Sequence, residues 1–86
     1  MVWYVLTRPG YDELVASLGK VPSPLWVNEN VLSEKKLKQL RENGVEVTNF
    51  KHLVNPNDRK AIEDSLATIQ EHHPGQSIWV EHAPDL

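Results

Sequence analysis

Three short apolar runs each carry a tryptophan: Val2-Trp3-Tyr4-Val5, Leu25-Trp26-Val27 and Ile78-Trp79-Val80. A fourth run, Val45-Glu46-Val47-Thr48-Asn49-Phe50, alternates without one. Aromatic and β-branched residues suit a pleated surface, so runs of this length read as strands. The stretches between them have helical spacing, and the chain therefore spells β-α-β-α-β-α-β. The expected elements are strands near 2–7, 25–28, 45–49 and 78–81, with helices near 11–18, 33–43 and 58–73.

Each helix has local signals. Tyr11, Leu14, Val15 and Leu18 fall on one face, and Gly19 is placed to end the first helix. The prolines of Lys20-Val21-Pro22-Ser23-Pro24 make a stiff linker after it. Ser33 is positioned to cap the second helix, with Leu32 and Leu37 as a staple, Leu40 continuing a thin apolar stripe, and Asn43-Gly44 closing it. The third helix opens near Asp58, buries Ile62, Leu66 and Ile69, and stops at Pro74-Gly75, with His72 and His73 at its negative end.

Crossovers of this length predict a single small α/β domain over residues 1–86, with a four-stranded, mainly parallel sheet and three helices. A mixed sheet with one antiparallel terminal strand is the alternative. The continuous apolar runs are expected at interior positions and the alternating third strand at an edge.

Composition narrows the function classes. No cysteine is present, which excludes a disulfide framework and thiol chemistry. No run approaches the roughly 20 apolar residues of a membrane span, and the first residues lack a signal peptide's pattern, so a cytoplasmic location without a membrane partner is expected. The net charge of −3 argues against a nucleic-acid partner and suits a basic protein partner.

Candidate chemistry collects at the strands' carboxyl ends. Parallel strands would bring Arg8, Glu29, Glu81 and His82 to one rim, where two carboxylates and an imidazole permit acid-base or cation chemistry. Ordinary polar turns explain the same residues. The basic face of Lys35, Lys36, Lys38 and Arg41 reads as solvated, and adjacent His72 and His73 diverge too far to form a zinc pair. With no nucleophile, metal set or phosphate loop, neither a catalytic residue nor a cofactor is assigned.

One resemblance spans residues 25–85. Val27-Asn28-Glu29-Asn30, the helix ending Arg41-Glu42-Asn43-Gly44 and the strand Val45-Glu46-Val47 resemble the opening of small PIN-like nuclease domains. Those begin with a strand ending Asp-Glu-Asn, then a helix, a glycine and a strand. The stretch from Ser77 to Asp85 resembles their strand bearing a second acidic cluster. The resemblance implies metal-dependent cleavage of nucleic acid, which needs convergent carboxylates. Here Asn28 replaces the leading aspartate, Glu81-His82-Ala83-Pro84-Asp85 lacks the acidic spacing, and the first strand and helix are extra. An inactive relative is the corresponding form of this alternative.

The tryptophans suggest another role. A domain this small has little room for three buried indoles, so one of Trp3, Trp26 or Trp79 is expected at the surface as an interface anchor. Leu53 is a candidate neighbour in such a patch. The expectation is a small protein-binding or regulatory module, of the inhibitor, immunity-protein or antitoxin kind, rather than an enzyme. A homodimer uses the same features.

Overall fold

A computed structural model describes residues 1–81. Along the chain these form β1 (Val2–Val5), α1 (Arg8–Leu18), β2 (Leu25–Val27), α2 (Glu34–Glu42), β3 (Val47–Asn49), α3 (Arg59–His72) and β4 (Ile78–Val80). The sheet order is β3-β2-β1-β4, and every pair is parallel. The all-parallel arrangement is thus adopted and the mixed alternative is not. No helix among the described residues is long and apolar enough to cross a membrane.

Alternation along the strands sorts the side chains into two cores. On one face Val5, Leu25, Val27 and Val47 pack with Tyr11 and Leu14 of α1 and Leu37 and Leu40 of α2. On the other face Val2, Tyr4, Trp26 and Phe50 pack with Ile69 of α3. The chain moves from β1 through β2 to β3 with its helices on the first face. It then returns to the far side of β1 with α3 on the second. Direction and face reverse together, so all three crossovers have one hand.

The helix starts are built by side-chain caps. Ser33 Oγ accepts from Lys36 N at 3.1 Å and Asp58 Oδ1 from Ala61 N at 3.2 Å, both at the expected caps. The first helix starts three residues earlier than expected. Thr7 caps it, and Pro9 sits in its first turn, where a missing N–H costs nothing. Gly19 ends α1 with φ 73°, and Gly44 follows α2 with φ 85°, both in the left-handed region glycine adopts freely.

Two expectations about burial are corrected. β4 lies at an edge and all three of its residues are half-buried, although its composition matches the central strands. Its side chains still pack inward on both faces, Trp79 against the α1 and α2 core and Ile78 and Val80 against the α3 core, and so stay apolar. On α3, Ile69 is fully buried, but Ile62 and Leu66 are only half-buried. Ser65 takes the central place instead: Tyr4 Oη donates to its Oγ at 2.8 Å, and Ser65 Oγ donates to Ile62 O at 2.7 Å.

That relay gives a pH signature. Burial raises the Tyr4 phenol above its ordinary value of 10.0, and the Ser65 bond lowers it by less. A raised folded-state value favours the protonated phenol, so the contribution is whole below pH 10 and lost as pH climbs through the folded value. Tyr11 is raised as well, chiefly by burial, and adds in the same direction. Urea denaturation should show stability falling above about pH 10, with a shallower fall in Tyr4→Phe. Equal slopes for both proteins would refute this assignment.

Candidate functional site

In sheets of this type ligands ordinarily enter at the carboxyl ends of the strands, where the winding direction switches. Here that point lies between β1 and β4, and the chain fills it itself. The Glu81 carboxylate accepts from Leu6 N at 2.8 Å, Thr7 N at 2.9 Å and the Thr7 hydroxyl at 2.6 Å. Thr7 Oγ1 in turn accepts from Gly10 N at 3.1 Å, closing the start of α1. A fixed negative charge at a helix N-terminus is favourable electrostatically. The carboxylate fits because residue 10 has no side chain: a Cβ there would coincide with it.

The adjacent position is braced by Asn28, 1% exposed. Its Nδ2 donates to Leu6 O at 3.1 Å and to Val54 O at 2.6 Å. Its Oδ1 accepts from Val54 N at 2.8 Å and Glu29 N at 2.9 Å. One amide thereby ties the ends of β1 and β2 to the loop after β3. An asparagine has two donors and an acceptor oxygen with two lone pairs, and all are used.

The other rim residues separate. Arg8 Nε pairs with Asp12 at 3.0 Å and the guanidinium lies 5.7 Å from the Tyr11 ring centroid, so its partners are on its own helix. Glu29 follows β2 and Glu81 follows β4, with β1 between them. Their strands are therefore roughly 9–10 Å apart. His82 lies outside the described residues. Among those described, no group of three or more His, Asp or Glu side chains is placed to hold a metal ion.

The tryptophans divide differently. Trp26 is 4% exposed and belongs to the α3-side core, with His72 and His73 at 5.4 and 6.0 Å from its ring, which removes it from the surface set. Its Nε1 and Asn49 Oδ1 are buried without partners. Trp26 pairs with Thr48, and both residues line, with Asn49, an open cleft beside His72 and His73 at the β3 edge.

Trp3 and Trp79 are adjacent across β1 and β4, both half-buried, with ring centroids 5.7 Å apart and planes inclined at 42°. They floor a groove of about 600 Å³ between the sheet edge and α1, walled by Leu14, Leu18 and Met1. Leu18 is 40% and Met1 60% exposed. The charged side chains that line the groove, Glu13 and Glu81, are both acidic, and Met1, which bears the N-terminal amine, lines it too. Leu53, 65% exposed, follows β3 at the opposite edge and does not line it.

Sequence reasoning found the indoles but not their wall. Leu18 carries the helical period of the buried face and gives no sign that it overhangs the sheet edge. Gly10 reads as a turn residue, and only the position of Glu81 explains it.

Comparison with protein-family models, curated proteins and solved structures found no match.

Proposed function

We propose that this chain is a protein-binding module of regulatory type, an inhibitor or an accessory protein of the immunity or antitoxin kind, and that the Trp3–Trp79 groove is its working surface. The observation that carries this reading is the pairing of two half-buried indoles with two exposed aliphatic side chains in one concave patch. Aromatic anchors in a pocket are the usual centre of binding energy at protein interfaces. The small-molecule position at the strand ends supports the same reading, because Glu81 and Asn28 occupy it with internal hydrogen bonds. The nuclease alternative asks for convergent carboxylates near position 28, and Asn28 is already committed to the backbone there.

The test is capture of the partner from native cells, followed by calorimetry with the two purified proteins. Leu18→Glu places a charge in the groove at a site exposed enough to tolerate it. It should weaken binding about 30-fold, equivalent to about 2 kcal/mol. Leu53→Glu should leave the affinity unchanged. Equal affinity for the wild type and Leu18→Glu, or metal-dependent RNA cleavage by the purified chain, would overturn the proposal.

A further inference from the structure

The two edges of the sheet are unlike. At the β3 edge, the Arg41 side chain donates through Nε and Nη2 to Val47 O at 3.2 and 3.0 Å. A cation laid over an outward carbonyl is a familiar obstacle to edge-to-edge pairing. At the β4 edge, Val2 N donates to Ser77 O and Glu81 N to Tyr4 O. Parallel pairing uses alternate residues, so Ser77, Trp79 and Glu81 turn their backbone groups to β1. Ile78 and Val80 turn theirs outward, and among the described residues nothing receives them.

The open edge and the tryptophan groove are contiguous, since Trp79, which lines the groove, lies between Ile78 and Val80 in the edge strand. Strand addition combines main-chain hydrogen bonds for affinity with pockets that take alternate side chains. The Leu14 and Leu18 wall above the Trp79 floor would take an apolar side chain. The charged side chains of the lining, Glu13 and Glu81, favour a cation beside it. Glu81 is fixed by its three internal donors and Glu13 is exposed on α1, so Glu13 is the free pairing group. A second copy of this chain would instead bring acidic rims together in a protein of net charge −3.

We infer that the outer edge of β4 accepts an extended, basic segment of a partner protein as a fifth strand, its alternate apolar side chains entering the groove beside Trp79. This rests on the binding-module reading and names the chemistry of the partner.

The experiment is NMR titration of the isotopically labelled full chain with three synthetic peptides. One alternates lysine and valine, one alternates glutamate and valine, and one is the lysine form with N-methyl groups along one edge. The lysine peptide should shift the Ile78 and Val80 amides and the Trp79 indole. It should bind at least about tenfold tighter than either of the others, and Glu13→Gln should reduce that preference. Unmoved Ile78 and Val80 amides at millimolar lysine peptide would overturn the inference, as would equal binding of the N-methylated or glutamate form. Indole shifts without amide shifts would overturn strand addition while leaving the groove as a binding surface. Concentration-dependent dimerisation that protects the β4 amides would replace the basic segment by a second copy.

Discussion

Replacing Asn28 with aspartate is expected to cost about 3 kcal/mol or more of folding stability, although the change is nearly isosteric. The two Nδ2 bonds to Leu6 O and Val54 O become contacts between a carboxylate oxygen and carbonyl oxygens. A buried acceptor facing acceptors loses its bonds and gains repulsion, and no cation is at hand to neutralise it. The same substitution separates the two functional readings. On the nuclease resemblance, aspartate at this position restores a missing metal ligand and should be tolerated, with added Mg²⁺ or Mn²⁺ increasing stability. On the present reading it damages the brace, and metal does not rescue it. Chemical denaturation with and without divalent metal decides the matter, and a loss below about 1 kcal/mol would show that Asn28 is not the brace described.

A second large effect is expected at Gly10, with a sign opposite to simple helix propensity. Gly10 lies inside α1, where alanine normally stabilises by about 0.5–1 kcal/mol. Here the added methyl group displaces the Glu81 carboxylate and strands the Leu6 and Thr7 amides. Gly10→Ala should therefore destabilise by about 2–3 kcal/mol, the loss of several charge-assisted bonds less the propensity gain. The signature is a double-mutant cycle. In a Glu81→Ala background the methyl group has nothing to displace, and Gly10→Ala should be neutral or stabilising. A coupling of about 1.5 kcal/mol or more is expected from denaturation of the four proteins. Additive effects would refute the contact.

These two residues also show how far the sequence could be read. The alternation of strands and helices was legible because apolar period and cap chemistry are local, and Ser33, Asp58 and Gly19 act as their types suggest. The parallel sheet followed from crossover length. Edge position was not legible for β4, because helices cover both faces of the sheet and leave its side chains as apolar as those of β1. The strand-end residues were recognised as a group, but their connections were not. Asn28 and Glu81 bond to backbone atoms of Leu6, Thr7 and Val54, and backbone partners leave no trace in residue spacing. One exposed tryptophan was expected, whereas Trp3 and Trp79 are both half-buried and Trp26 is buried; strand order decides this, placing Trp26 over α3 and Trp3 beside Trp79.

The central claim is that the groove at the β4 edge, rather than the strand-end rim, meets the partner. Hydrogen exchange of the full chain with and without its captured partner measures this directly. Protection should rise at Trp3, along Leu14–Leu18 and at Ile78–Val80, and stay unchanged around Glu29 and Leu53. Protection confined to the Glu29 and Leu53 side, with β4 unaffected, would contradict the account.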